Sequence, residues 1–200
     1  MFTPLPRIFF QKSAVEVAPA LLGKTLYMQE GNQQIAGIIS ECEAYQGERD
    51  LACHARAGKT ARTLPMYGKA GHAYIYFTYG IHWMFNIVTD CINEPAAVLI
   101  RAIVPILGFE IIAERRAPQP KEVWTNGPAK VCQAFNIDKR FNQLDMCQPD
   151  SPIRICKGIA IPPEEILQSA RIGINQTPEP WLSIPWRFYL AENSPCLSVI

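Results

Sequence analysis

Three strand-like runs, residues 73–79, 82–89 and 96–104, follow one another with little between them. Only Gly80-Ile81 separates the first two. A parallel neighbour needs a crossover of about a dozen residues, so this link points to an antiparallel pair. Upstream, Gly31-Asn32 stands as a hairpin turn between runs 24–30 and 33–40. The second of these runs delivers Glu41-Cys42-Glu43-Ala44-Tyr45. Strand side chains alternate, which puts Glu41 and Glu43 on one face and Cys42 on the other. By the same rule Tyr74 and Tyr76 share a face, while Phe77 and Tyr79 point the other way, away from any pocket Tyr76 lines.

Helical signals surround these runs. Ser13-Ala14-Val15-Glu16 has capping-box spacing and opens a helix over 13–22, stopped by Gly23 and kinked or shortened by Pro19. A second helix spans 107–116, with Arg115 and Arg116 at the end where cations suit its dipole. Pro128 opens a third over 128–135, and Pro162-Pro163-Glu164-Glu165 opens another to about 169. Further strands are expected at 153–156, 171–174 and 186–191. Residues 117–121, with two prolines, read as a surface linker. Residues 46–70 are polar and glycine-containing, with one helical turn expected at 50–55. A connection this long inside a compact domain is usually functional or disordered. Cys53, His54, Leu64, Pro65 and Met66 give it something to pack, which favours an ordered functional loop. The expected fold is α+β: a single domain over 1–200 with a curved, mostly antiparallel sheet, packed helices and this long loop.

Hydrophobic content of 48% against 18% charged residues belongs to a globular chain. The apolar window 96–113 is broken by Arg101, Pro105 and Glu110, so no membrane span is expected. Residues 1–12 hold two prolines and no long apolar core, so neither is a secretory signal. An intracellular location follows, cytoplasmic if the source is bacterial and nuclear if eukaryotic. The seven cysteines form no C-x-x-C pair, and they read as small buried hydrophobes in a reducing compartment. Neither metal nor cofactor is expected. Cys53-His54 leaves a cysteine hydrolase as a rival reading.

Net charge is only +1, so bulk electrostatics do not point to nucleic acid. Local charge does. From Leu51 to Thr89 there is no Asp or Glu, while Arg56, Lys59, Arg62 and Lys69 are positive and lie in loop composition suited to phosphate contacts. Glu43, at a strand end beside Tyr45, suits a general base that activates water, and equally an exposed carboxylate with no role. The tyrosines suit base stacking or core packing. Asn86 in an apolar strand is a structural link or a reader of ligand edges. Arg101 between Leu99-Ile100 and Ala102-Ile103 must be paired, with a carboxylate or a substrate group. A binding module without catalysis would use the same tyrosines and basic loop.

Several segments, in order, carry a resemblance. They are Glu41-Cys42-Glu43-Ala44-Tyr45 with Gly47, His54-Ala55-Arg56, Gly71-His72-Ala73-Tyr74-Ile75-Tyr76, Tyr79-Gly80 and Asn86-Ile87. Leu99-Ile100-Arg101-Ala102, Asn126-Gly127-Pro128-Ala129-Lys130, Arg171-Ile172-Gly173-Ile174 and Pro185-Trp186-Arg187-Phe188-Tyr189 follow. The ordered set resembles the alkyladenine (3-methyladenine) DNA glycosylase family, the type without a helix-hairpin-helix motif. The resemblance implies a monomer that acts on double-stranded DNA containing damaged purines, flips the base and hydrolyses its N-glycosidic bond. It implies Glu43 as general base, with Arg101 and the main-chain carbonyl of Ile172 holding the attacking water. Tyr45, His54 and Tyr76 would enclose the flipped base, Asn86 would discriminate against guanine's exocyclic amine, and Tyr79 would fill the gap in the stack. Cys42 stands where the family often has Thr, and residues 58–65 differ from the family pattern in the DNA-contact loop.

Overall fold

β2 (Gln33–Gln46) is the trunk from which the sheet branches. The computed structural model describes residues 2–191 and Ser194, so Cys196 and the end of the resembling stretch lie outside the described residues. The turn at Gly31-Asn32 joins β1 (Thr25–Glu30) to the first half of β2 as an antiparallel hairpin. β3 (Ala73–Thr78), β4 (His82–Val88) and β5 (Ala96–Leu107) form the expected antiparallel run, and β5 pairs with β2 along most of its length. β6 (Ile153–Cys156) closes the far edge on β1. β8 (Arg187–Leu190) pairs with Glu41–Glu43 of β2, and β7 (Ile166–Ser169) pairs with β8. Among the described residues, the outcome is an open, curved α+β sheet of eight strands, all paired antiparallel.

Among the described residues, three α-helices pack around it. α1 (Ala14–Leu21) begins with Ser13 and Glu16 in a reciprocal capping box and ends two residues after Pro19. α2 (Phe109–Arg116) ends in Arg115 and Arg116. α3 (Pro128–Phe135) starts at its proline and stops at Asn136 in the left-handed region. Phe10, Leu21, Phe85, Ile100 and Phe135 are among the largest fully buried side chains between these layers. Among the described residues, no helix is long and apolar enough to cross a membrane.

Three expectations are corrected. The helix over 162–169 is a single 3-10 turn (Pro163–Glu165) followed by β7. The free edge of β8 takes Ile166–Ser169 as a partner, and that tertiary pairing overrides the local helix signal. The strand at 171–174 is irregular: Gly173 has φ 83°, and the backbone there serves the site described below. The helical turn expected at 50–55 forms instead at His54–Ala57, with a second at Leu64–Tyr67. The long loop is ordered by Cys53, Ala55, Met66 and Tyr67, which pack on Tyr74, Val88 and Ala97 in a cluster apart from the main core.

Gly71 fastens the end of that loop. Its φ is 80°, its N–H donates to the Val88 carbonyl, and an added Cβ would collide with Cys147 Sγ and lie 3.1 Å from the Phe10 ring. Gly71→Ala therefore combines left-handed backbone strain with overpacking, and should lower the unfolding free energy by about 2–4 kcal/mol in denaturant titration. An unchanged midpoint would show that the loop anchor yields freely.

Candidate active site

Two compensating irregularities in the β2–β5 ladder aim the site's charges. Ile39 pairs with Ile103 and Glu41 with Ala102, so Ser40 is an extra residue on β2. Cys42 then pairs with Ile100, so Arg101 is the extra residue on β5. Bulges of this kind re-aim a side chain without ending the pairing. Arg101 thereby reaches both carboxylates: Nε lies 2.6 Å from Glu41 Oε1 and Nη1 lies 3.3 Å from Glu43 Oε1. Arg187 Nε, delivered by β8, lies 2.7 Å from the same Glu41 oxygen.

The two glutamates are pushed in opposite directions. Burial raises the Glu41 pKa, but the hydrogen bonds from Arg187 and Arg101 outweigh it, and the net shift is downward. Glu43 has no accessible side-chain surface, and burial pushes its pKa up. Arg101, the Ile172 N–H and the Tyr45 hydroxyl pull that pKa back without overcoming burial. The Ile172 N–H donates to Glu43 Oε1 at 2.7 Å, and the Tyr45 hydroxyl donates to Oε2 at 2.8 Å.

Above Glu43 opens a cleft of about 740 Å³. Tyr45, Arg101 and Ile172, the three residues that touch the Glu43 carboxylate, all line it, together with His54, Tyr76 and Asn86. The Tyr76 ring centroid is 4.5 Å from the His54 ring in an edge arrangement and 5.5 Å from Tyr74. His54 Nδ1 is 2.9 Å from the Tyr74 hydroxyl. Burial, with the Arg62 and Arg56 charges adding to it, lowers the His54 pKa to about 4, so the ring is neutral at pH 7. Asn86 is buried, and its Nδ2 donates to the Tyr74 carbonyl at 3.0 Å, which fixes the amide orientation.

Tyr79 does not follow strand alternation. β3 ends at Thr78, Tyr79 has φ 52°, and its side chain is 83% exposed at the rim of this same cleft rather than on an opposite face. The basic residues divide. Arg56 lines the cleft and donates from Nη1 to the Leu51 carbonyl at 2.6 Å. Arg62 sits 5.0 Å from the Tyr76 ring centroid, and the Lys59 ammonium is 4.9 Å from the Tyr67 ring and 2.9 Å from Asn93 Oδ1. Lys69 is exposed. Cys42, Cys53, Cys132 and Cys156 are buried as expected, but Cys91 is exposed and Cys147 half-buried. Burial pushes the Cys53 thiol up to about 12, and His54 is turned to Tyr74, so Cys53 is not an activated nucleophile. Among the described residues, no group of three His, Cys, Asp or Glu side chains is placed to hold a metal ion.

Asp50 and Arg171 escape any reading of local sequence. Their side chains are fully buried and joined by a fork, Nη1 to Oδ2 at 2.6 Å and Nη2 to Oδ1 at 2.9 Å. Arg171 Nη1 also donates to the Ala44 carbonyl, and its guanidinium lies over the Tyr45 and Trp186 rings, 4.8 and 5.2 Å from their centroids. The available signal is that Arg171 and Arg187 are cations among apolar neighbours, which demands partners, and Asp50 is the last acid before the acid-free stretch. Because Ile172 follows Arg171, this pair sets the position of the N–H that meets Glu43.

A family model for methylpurine-DNA glycosylase (MPG) matches residues 8–194. A protein of Methanocella arvoryzae named "Putative 3-methyladenine DNA glycosylase" is 44% identical over 196 residues, covering 97% of this chain and 95% of its own. Proteins of the same name from Chlamydia felis and Myxococcus xanthus are 45% identical over 190 residues and 38% over 189. These alignments cover 93% and 94% of this chain, and 95% and 91% of the relatives.

Removing one member of the Asp50–Arg171 pair leaves a buried charge alone. Asp50→Ala should cost about 3–5 kcal/mol in equilibrium unfolding, and adding Arg171→Met should restore part of that loss. Equal losses in the single and double variants would contradict the pairing.

Proposed function

The chain belongs to the methylpurine-DNA glycosylase family, and on that premise we propose that it releases alkylated or deaminated purines from duplex DNA by base flipping. A DNA glycosylase hydrolyses an N-glycosyl bond, and its substrate is DNA. The finer reading is a monofunctional 3-methyladenine-type enzyme, one domain acting as a monomer and leaving an abasic site. The observation that carries it is Glu43, sealed beneath an aromatic cleft and touched by three of the cleft's own residues.

A base inside the stack cannot be attacked, and extruding it costs roughly a few kcal/mol, least where the base is damaged or mismatched. A cleft of 740 Å³ lies within the range of about 300–1,000 Å³ usual for small-molecule sites. Tyr45, Tyr76 and His54 offer ring faces and edges to the extruded purine, and Asn86 offers an amide whose orientation is fixed. Neutral His54 adds no charge against an alkylated, cationic purine, which the aromatic rings favour. Such a purine is already a good leaving group and needs little acid catalysis. Glu43, a stronger base than an exposed carboxylate because of its burial, takes the proton of the water that attacks C1′. Arg101 favours the charged form of Glu43, and with the main-chain carbonyl of Ile172 at the cleft lining it holds the attacking water. Tyr79 at the cleft rim fills the space vacated in the stack, offsetting part of the unstacking cost. Water, not a lysine amine, is the nucleophile, so the strand is left uncut.

Glu43→Gln should keep binding to lesion-bearing duplex while single-turnover base release falls about 10²-fold or more. Near-parent release from a folded Glu43→Gln protein would overturn the assignment. The pH dependence follows from sign. The reaction needs ionised Glu43, so the rate should fall as pH drops through its raised pKa. Arg101→Gln removes an influence that lowers that pKa, so the acid limb should move to higher pH. The same raised pKa means ionised Glu43 weakens the fold above that pH. Glu43→Gln should therefore unfold at higher denaturant than the parent at pH 7, with the gap closing as pH falls through the Glu43 pKa.

A further inference from the structure

We propose that the recess on the other side of the β3–β4 turn is a phosphate site, which holds one phosphodiester of the bound duplex on the side of the turn away from the flipped nucleotide. The recess has a volume of about 610 Å³. Ile81, His82 and Trp83 form one wall, Arg115 and Arg116 of α2 another, and Gln133 of α3 lies between them.

Two polar atoms in this recess, His82 Nδ1 and Arg116 Nε, are buried without any hydrogen-bond partner. A buried unsatisfied group costs about 1–3 kcal/mol, and more when it is charged, so two in one recess mark a place prepared for a ligand. The Arg116 Nη1 atom donates to Gln133 Oε1, which fixes the guanidinium plane. Nε on the other edge has no protein acceptor, and a small shift of the half-buried side chain lets Nε and Nη2 together grip an oxyanion through two parallel bonds. Neighbouring charges do not neutralise it. Arg115 is engaged elsewhere, with the Ala134 carbonyl at 3.2 Å and Gln33 Oε1 at 2.9 Å. Asp138, the carboxylate lining the recess, is paired with Arg140 at 2.9 Å.

The position selects the ligand. Thr78 and Tyr79 line the catalytic cleft, whereas Ile81, His82 and Trp83 line this recess, so the turn is the wall between them. α3 is divided likewise: Pro128 lines the cleft, and Ala129 and Cys132 line the recess. With Tyr79 in the stack, the duplex lies across this wall, and its two strands pass on either side of it. Ile81, 66% exposed, and Trp83 present apolar surface to the sugar beside the phosphate. This inference rests on the base-flipping reading with Tyr79 as the inserted residue.

The test is affinity for undamaged duplex as a function of salt, which requires no catalysis. Arg116→Gln should lower the log–log salt slope by about 0.9, so its affinity should change about threefold to fourfold less than the parent's between about 50 and 200 mM salt. Gln133→Ala, which removes the internal bond but keeps the cation, should retain the parent slope. Single methylphosphonates placed along each strand should reveal one position, on the side of the lesion away from the flipped nucleotide, that weakens the parent but not Arg116→Gln. If Arg116→Gln unfolds, His82→Ala carries the test at that same position. A parent-like slope with a parent-like denaturation midpoint overturns the proposal, as does a scan in which neither variant masks any position. Stabilisation of the parent by millimolar inorganic phosphate, with an unaltered DNA slope in Arg116→Gln, also overturns it and makes the recess a site for free phosphate. Absence of base release by the parent counts against the glycosylase reading alone, since the slope is measured without it.

Discussion

A guanidinium and a carboxylate with no accessible surface, Arg171 and Asp50, hold the candidate active site together. Both Asp50 oxygens are engaged twice, by the Arg171 fork and by the N–H groups of Gln46 and Ala52. Arg171 adds the carbonyls of Ala44 and Trp181 and two aromatic rings. Charges so far from water persist only when paired and hydrogen-bonded on most sides. The pair therefore fastens the end of β2 and the start of the long loop that follows it to the irregular segment before β8, 121 residues further on. The Ile172 N–H meets Glu43 because Arg171 is immobilised one residue earlier.

The same logic of paired charge shapes the centre of the sheet. Glu41 collects two arginines from two strands and is held low, while Glu43 keeps one arginine at longer range and is held high by burial. Two carboxylates, one residue apart on the same strand face, thus acquire different character: one is held ionised by two cations, the other is buried with its pKa raised. Environments that push paired carboxylates apart are a recurring way to assign such roles. The extra residues at Ser40 and Arg101 make this geometry possible, since unbulged pairing would not let one guanidinium reach both acids.

The turn between β3 and β4 is the second organising feature. Its left-handed Tyr79 and Gly80 lift the chain out of strand alternation, exposing a ring at the cleft rim and dividing two recesses of different character. One recess is lined by rings above a buried carboxylate; the other contains a guanidinium whose Nε has no acceptor.

The sequence by itself determined the antiparallel run of strands, the three α-helices, the shared face of Glu41 and Glu43, and the family. Short links, capping residues, alternation and an ordered set of motifs are local signals and survive without coordinates. It also required Arg101 to be paired, because burial of a cation permits nothing else. Local signals failed where a distant partner decided the outcome. Ile166–Ser169 became a strand because β8 offered an edge, and Tyr79 turned to the cleft because its backbone left the strand region. The partnership of Asp50 with Arg171, 121 residues apart, has no periodicity to announce it. Only the tertiary structure decided which carboxylate would be the hub held ionised by cations and which would have its pKa raised, since that depends on how many donors reach each oxygen and how completely water is excluded.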